Sequence, residues 1–507
     1  MASTDQKAEY RYSTTRHGSR GVLPVMCGSV MAAQSLVAAI NLAIPSLSAS
    51  GLHPSPTELL WVVDSYVIVF AGLLIPAGAL GDRCGRKGVL LSGLALFASG
   101  AALSALAPTV ALLLAGRAVC GAGAALLMPA SMSLLLHCVT ESRRAAAVAT
   151  WSASLAVGGV LGNTGGALIL QYLPWRALFW VYVPVALALL GWAARSAPRP
   201  PRHTAALDVP GSALLVLGSV VLLFGFIEGP AQGWTSPLVL SGFAAAALVL
   251  TGFALYELRT PQPILDPRLF RLRPVFSGTV GLAAAFFGMF ALFYVNAQFL
   301  QYVKGFSPLQ AGLGVVPVAV GIMTVTRHGL RCADRWGDRP TVAAGLLLTG
   351  AGLLLMSTAN AATPYPLYAA YLLVLAAGNG MATPVLSHAV VSGLSSNRTG
   401  VGSGLSSAAR ELGAALGIAV VGSALAVEFS HRLPAPVAAA GQTPARAFEA
   451  AAQLGPRTHD AVVAAFTHAV AVGYRVAAAV LFVLTVVVVA GMRRSGPKQG
   501  ANPRRRG

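Results

Sequence analysis

Apolar residues in this chain gather into long unbroken runs, with polar positions confined to the short stretches between them. Fourteen runs have the length of roughly 20 residues that a helix needs to cross hydrocarbon. They lie near 22–46, 59–80, 88–107, 110–136, 145–170, 177–194, 210–228, 237–256, 275–299, 309–328, 341–359, 364–391, 400–427 and 463–492. In lipid each backbone group must find its partner inside its own segment, so runs of this kind become helices. The pattern predicts an all-α polytopic membrane protein with 14 transmembrane helices. Ser55-Pro56-Thr57-Glu58 has the form of a capping box with proline in the first turn, which starts the second helix near Pro56.

Composition agrees. Hydrophobic residues make up 56% and charged residues 10% of the 507 positions, against roughly 25% charged in soluble domains. The net charge of +19 would suit nucleic acid, but its distribution does not. Arg83, Arg86 and Lys87, then Arg195 and Arg199, then Arg259, Arg268, Arg271 and Arg273, then Arg331, Arg335 and Arg339 fall in alternate loops. Both tails are basic as well. Loops of that sign stay in the cytoplasm and meet anionic lipid, so both termini are expected there and nucleic acid is not an expected partner. The first apolar run is too long for a cleaved leader. The five cysteines and nine histidines show no metal or disulfide spacing, and no GK[ST] phosphate loop is present. No metal or cofactor is expected.

The runs group into two sets of six around an inserted pair. The expected division is a tail at 1–20, a six-helix half at 21–195, a linker and two-helix insert at 196–258, a second half at 259–492 and a basic tail at 493–507. The Pro-rich stretch at 198–202 marks the linker. A charged hairpin occurs in each half: Gly78 to Lys87, and more weakly Asp334-Arg335-Trp336-Gly337-Asp338-Arg339. Matching signals in two halves indicate internal duplication.

The first hairpin, Gly78-Ala79-Leu80-Gly81-Asp82-Arg83-Cys84-Gly85-Arg86-Lys87, resembles the loop between helices 2 and 3 of the major facilitator superfamily. The resemblance implies the major facilitator fold and a conformational latch built from Gly78, Asp82, Arg83, Gly85, Arg86 and Lys87. Arg117, mid-segment in the fourth run, is similar to that superfamily's proton-coupling arginine, with Cys120 where a glutamine is usual. An arginine at that depth is expensive and faces a partner or a cavity. Gly158, Gly162, Asn163 and Gly166 resemble the antiporter glycine motif, with Asn163 replacing its proline and Ala167 its last glycine. The insert sequence from Glu228 to Trp234 and the run at 265–270 are similar to 14-helix drug:proton antiporters of the EmrB/QacA type. The first helix departs from that type: Leu36 and Ala38 replace its acid and threonine, while Asn41, Ala43 and Pro45 remain.

Few acids remain inside the membrane. Asp64, about two turns into the second helix, could exchange a proton or bind a cation. Glu411, beside Arg410, is the second candidate. Asp64, Arg117 and Glu411 are therefore the expected coupling residues, and Asn41, Trp61, Asp64 and Tyr66 the expected cavity lining. The resemblance implies proton-driven efflux of lipophilic drugs or an antibiotic by alternating access, in a monomer of the cytoplasmic membrane and without enzymatic chemistry. An uptake or facilitated-diffusion carrier, or a receptor or scaffold on a transporter fold, stays open.

Overall fold

The computed structural model describes residues 19–492 apart from 140, 200–207, 262, 264–265, 395–398 and 440–442. Both tails, and the side chain of Asp82, lie outside the described residues. The helices are α1 (Ser19–Ser48), α2 (Pro56–Cys84), α3 (Arg86–Leu106), α4 (Val110–Cys138), α5 (Glu141–Tyr172), α6 (Arg176–Ser196), α7 (Val209–Gln232), α8 (Pro237–Arg259), α9 (Arg273–Tyr302), α10 (Pro308–Leu313), α11 (Val316–Trp336), α12 (Asp338–Met356), α13 (Tyr365–Ser392), α14 (Thr399–Arg432), α15 (Ala435–Ala438), α16 (Pro444–Leu454) and α17 (Pro456–Gly491). Among the described residues 13 helical spans are long and apolar enough to cross a membrane. α5, of 32 residues, is the fourteenth long helix. The chain is a multi-pass membrane protein. Exposed Leu168, Trp180, Leu217, Leu248, Met323 and Val486 supply the apolar outer surface that lipid requires.

Local chemistry sets the helix starts. Ser55 Oγ accepts from the Glu58 amide at 3.2 Å, and the Ser55 amide donates to Glu58 Oε2 at 2.7 Å. Ser307 and Gln310 repeat this box at 3.3 and 3.0 Å. Asp208 caps α7 by accepting from the Gly211 amide at 2.8 Å. The charged hairpin is tighter than a loop: α2 runs to Cys84, α3 begins at Arg86, and Gly85 alone turns the chain at φ 100°. Gly337 does the same between α11 and α12 at φ 94°. An L side chain rarely adopts that conformation, which fixes glycine at both places.

α1–α6 pack as one six-helix half, and α9 with α11–α14 and α17 as the other. The two repeat each other position by position. Ser55 and Ser307, and Gly85 and Gly337, stand 252 residues apart. On α5, a methyl at Gly158 would sit 2.7 Å from the Met31 carbonyl oxygen, and one at Gly162 would overlap that of Ser35. On α14, methyls at Gly413 and Gly417 would overlap the carbonyls of Ala283 and Phe287. The glycines are thus the contact seams of α1 with α5 and of α9 with α14, where the backbones touch. The α7–α8 hairpin leans on the outside, with α7 against α2 of one half and α14 of the other.

Candidate functional site between the halves

The end of the molecule bearing Gly85 and Gly337 is here called the basic end, and the end bearing Ser55, α10 and α16 the far end. The halves meet toward the far end. Leu60 of α2 fills the place of a side chain at Gly422 of α14, α10 packs Gly312 on Asn163 and Ala167 of α5, and Gln301 Nε2 donates to the Leu42 carbonyl at 3.5 Å.

Beneath this contact lies Asp64. It is fully buried, and among the described residues neither of its carboxylate oxygens has a hydrogen-bond partner. Arg117, also fully buried, is close enough to act on that charge but spends its donors elsewhere. Its Nε donates to the Val62 carbonyl at 2.9 Å and one Nη to that of Val63 at 3.3 Å, while the other Nη has no partner among the described residues. The guanidinium lies 4.8 Å from the Tyr66 ring centroid, a cation–π contact in a desolvated setting. The Tyr66 hydroxyl donates to the Ala33 carbonyl at 3.2 Å, which ties α1, α2 and α4 together around the arginine. Across the interface, Tyr294 of α9 is within electrostatic reach of Asp64, and Glu411 of α14 within reach of Tyr66. Asp64, Tyr66 and Arg117 therefore form one constellation, with Glu411 on the facing half.

Other expected residues have separate surroundings. Asn41 is buried on α1 with its carbonyl oxygen unpartnered. Trp61 turns to the insert, where its indole nitrogen donates to Glu228 Oε1 at 3.3 Å. Arg410 donates to Ser407 Oγ at 2.9 Å and lies 5.7 Å from the Phe286 ring centroid. Gly158, Gly162 and Gly166 face α1, while Asn163 bonds back to the Gly159 carbonyl at 3.0 Å. At the basic end Gly78 packs near Pro129, Arg83 is exposed, and Lys87 donates to the Ala194 carbonyl at the end of α6 at 2.8 Å. Arg86 is half-buried.

Several participants were not anticipated from the sequence. Ser35 and the Tyr182 hydroxyl share a 2.6 Å bond beside the arginine. Tyr294, Glu228 and Ser423 carry no local motif; only their placement on facing helices brings them in. Cys120, where the superfamily's glutamine would stand, is buried with its thiol 3.5 Å from the Phe97 carbonyl.

Two duplicated bundles with unsatisfied charge buried where they meet make up a membrane carrier, and residues 26–418 match the Major Facilitator Superfamily. The chain belongs to that superfamily: it is a transporter of small molecules and not an enzyme. Among its relatives is the methylenomycin A resistance protein of Streptomyces coelicolor, 34% identical over 78% of this chain and 84% of that one. Another is the multidrug efflux pump LfrA of Mycolicibacterium smegmatis, 31% identical over 87% of this chain and 88% of that one. A solved bacterial homologue of the lysosomal transporter Spinster, inward-facing and unoccupied, superposes with a TM-score of 0.67 at 16% identity, over 95% of this chain and all of that one.

Proposed function

We propose that the protein exports lipophilic small molecules, a drug or an antibiotic, across the cytoplasmic membrane in exchange for protons. The observation that carries this reading is the bare Asp64 carboxylate. An ionised, unpartnered carboxylate in a dry interior is costly, and a proton or a cationic cargo removes that cost. Arg117, committed to the backbone of α2, holds the site electropositive without closing an ion pair on Asp64. Glu411, on the facing half, is the second proton acceptor. The relatives named for methylenomycin resistance and multidrug efflux support outward movement of cargo.

In this reading the far end faces outward and the basic end the cytoplasm, with both termini. The halves span 21–195 and 259–492, joined through 196–258. They rock about a cavity lined by Asn41, Asp64 and Tyr66, with Trp61 at its edge. The hairpin residues Gly78, Asp82, Arg83, Gly85, Arg86 and Lys87 act as the latch at the basic end, and the glycine seam with Asn163 lets α5 move against α1. The working unit is a monomer that needs no cofactor and binds no nucleic acid.

Substrate uptake into everted vesicles tests the proposal. Asp64→Asn should abolish the uptake that an imposed pH gradient drives while leaving protein abundance intact. Uptake that ignores the gradient in the parent protein would make it a facilitated-diffusion carrier.

A further inference from the structure

The outer part of α7 is bonded to both halves at once. On one side Trp61 of α2 donates to Glu228. On the other, Ser423 of α14 donates to the Phe226 carbonyl at 2.7 Å. That carbonyl is unusual. In a helix it would accept from the amide four residues on, and that residue is Pro230, which has no N–H. The donor that the α7 helix lacks is supplied by the opposite half of the transporter, one residue from Gly422, where Leu60 closes the far end.

The two attachments are similar in extent. α7 lies along α2: Val216 fills the space beside Gly72, and Trp61 reaches Glu228 three turns later. Each side holds α7 by one described hydrogen bond, from Trp61 on α2 and from Ser423 on α14. An insert that stays with α2 as the far end opens leaves Ser423 behind. The Phe226 carbonyl then loses its donor in a region where lipid offers none.

From this we infer that the insert is a strap across the far-end gate, and that Ser423, the Phe226 carbonyl and the proline that frees it set the gate's resting bias toward closure. The inference rests on the alternating-access reading above. Ser423 acts on transport through the position of α14 and touches no cargo.

The test is a cycle of accessibility in intact cells. Leu60→Cys, placed in the full chain with Cys27, Cys84, Cys120, Cys138 and Cys332 replaced, is buried when the far end is shut and reachable by an impermeant maleimide when it opens. Ser423→Ala should raise the labelling rate roughly two- to tenfold, the factor one net hydrogen bond is worth. Pro230→Ala restores a helical donor to the Phe226 carbonyl in both states. On that background the Ser423→Ala effect should shrink to less than about half of its size, because the two changes act on one bond. An equal rise on both backgrounds, or no rise with Ser423→Ala alone, overturns the strap. Separately, a Leu60→Cys thiol that never labels on any background while transport continues overturns alternating access, and the strap with it.

Discussion

The two halves share a scaffold but not a chemistry. The 252-residue offset that pairs Ser55 with Ser307 and Gly85 with Gly337 sets Asp64 against Val316. Between α4 and α13 the offset is 255 residues: Pro129 pairs with Pro384 and Gly123 with Gly378, which sets Arg117 against Leu372. Leu372 is fully buried, so the position is satisfied by an ordinary apolar side chain in one half and by a guanidinium in the other. In the second half neutral pairs span the helices nearby: Tyr368 donates to Asn296 Oδ1 at 2.7 Å, and Asn379 Nδ2 to the Ala285 carbonyl at 2.8 Å. Caps, turns and glycine seams occur twice because they build the fold. Asp64 and Arg117 stand where the second half has Val316 and Leu372, apolar side chains that serve the fold as well, which is why the two charges are assigned to transport.

This contrast can be broken directly. Arg117→Leu makes the first half resemble the second. It should leave the protein folded and abundant while reducing gradient-driven transport roughly 5–150-fold, the span of a coupling free energy of about 1–3 kcal/mol. Transport rates normalised to membrane protein decide it; a collapse in abundance at normal specific rate would make Arg117 part of the scaffold after all. The reciprocal change, Leu372→Arg, adds a charge without a prepared partner at a cost of about 2.5–3.5 kcal/mol, and should be read out as loss of inserted protein.

Smaller changes sharpen the same comparison. Gly162→Ala and Gly417→Ala press a methyl onto equivalent carbonyls, so each should cost about 1–3 kcal/mol of stability and lower the melting temperature in detergent alike. Unequal shifts would show that one seam moves in the resting state and the other does not. Asp82→Asn should slow turnover at normal abundance, whereas neutralising Asp334 of the weaker hairpin should alter it less; initial rates of transport for both variants measure the gap. Least of all, Ser55→Ala and Ser307→Ala each remove one helix cap, worth about 1 kcal/mol, and should shift melting equally.

Much of the fold was readable in advance because hydropathy is a local signal, and each of the fourteen runs is helical, the one at 309–328 broken into α10 and α11. Ends were less readable. α2 continues to Cys84 and α17 begins at Pro456, because helices leave the membrane before they stop and polar side chains at their tips do not interrupt them. Duplication was sought only in the charged hairpins, yet Ser307-Pro308-Leu309-Gln310 and Gly413-x-x-x-Gly417 state it more clearly. Their signal lies in spacing against the other half rather than in anything conspicuous nearby. Asp64 and Arg117 stood out because charge in an apolar run is rare. Trp61 did not announce its turn toward Glu228, and neither Ser423 nor Tyr294 could be picked out. Their roles come from helix faces that meet across more than 160 residues of chain.

The glycine seams also bear on how such a protein can change. At Gly158, Gly162, Gly413 and Gly417 even a methyl meets a neighbouring backbone carbonyl, so drift at these sites is penalised whatever cargo a lineage is selected to carry. New specificities must arise from positions around them, on surfaces that can be rebuilt one residue at a time. A library aimed at altering cargo range would hold these four glycines constant and vary the neighbours of Tyr66 and Tyr294, with most of its members still assembling in the membrane.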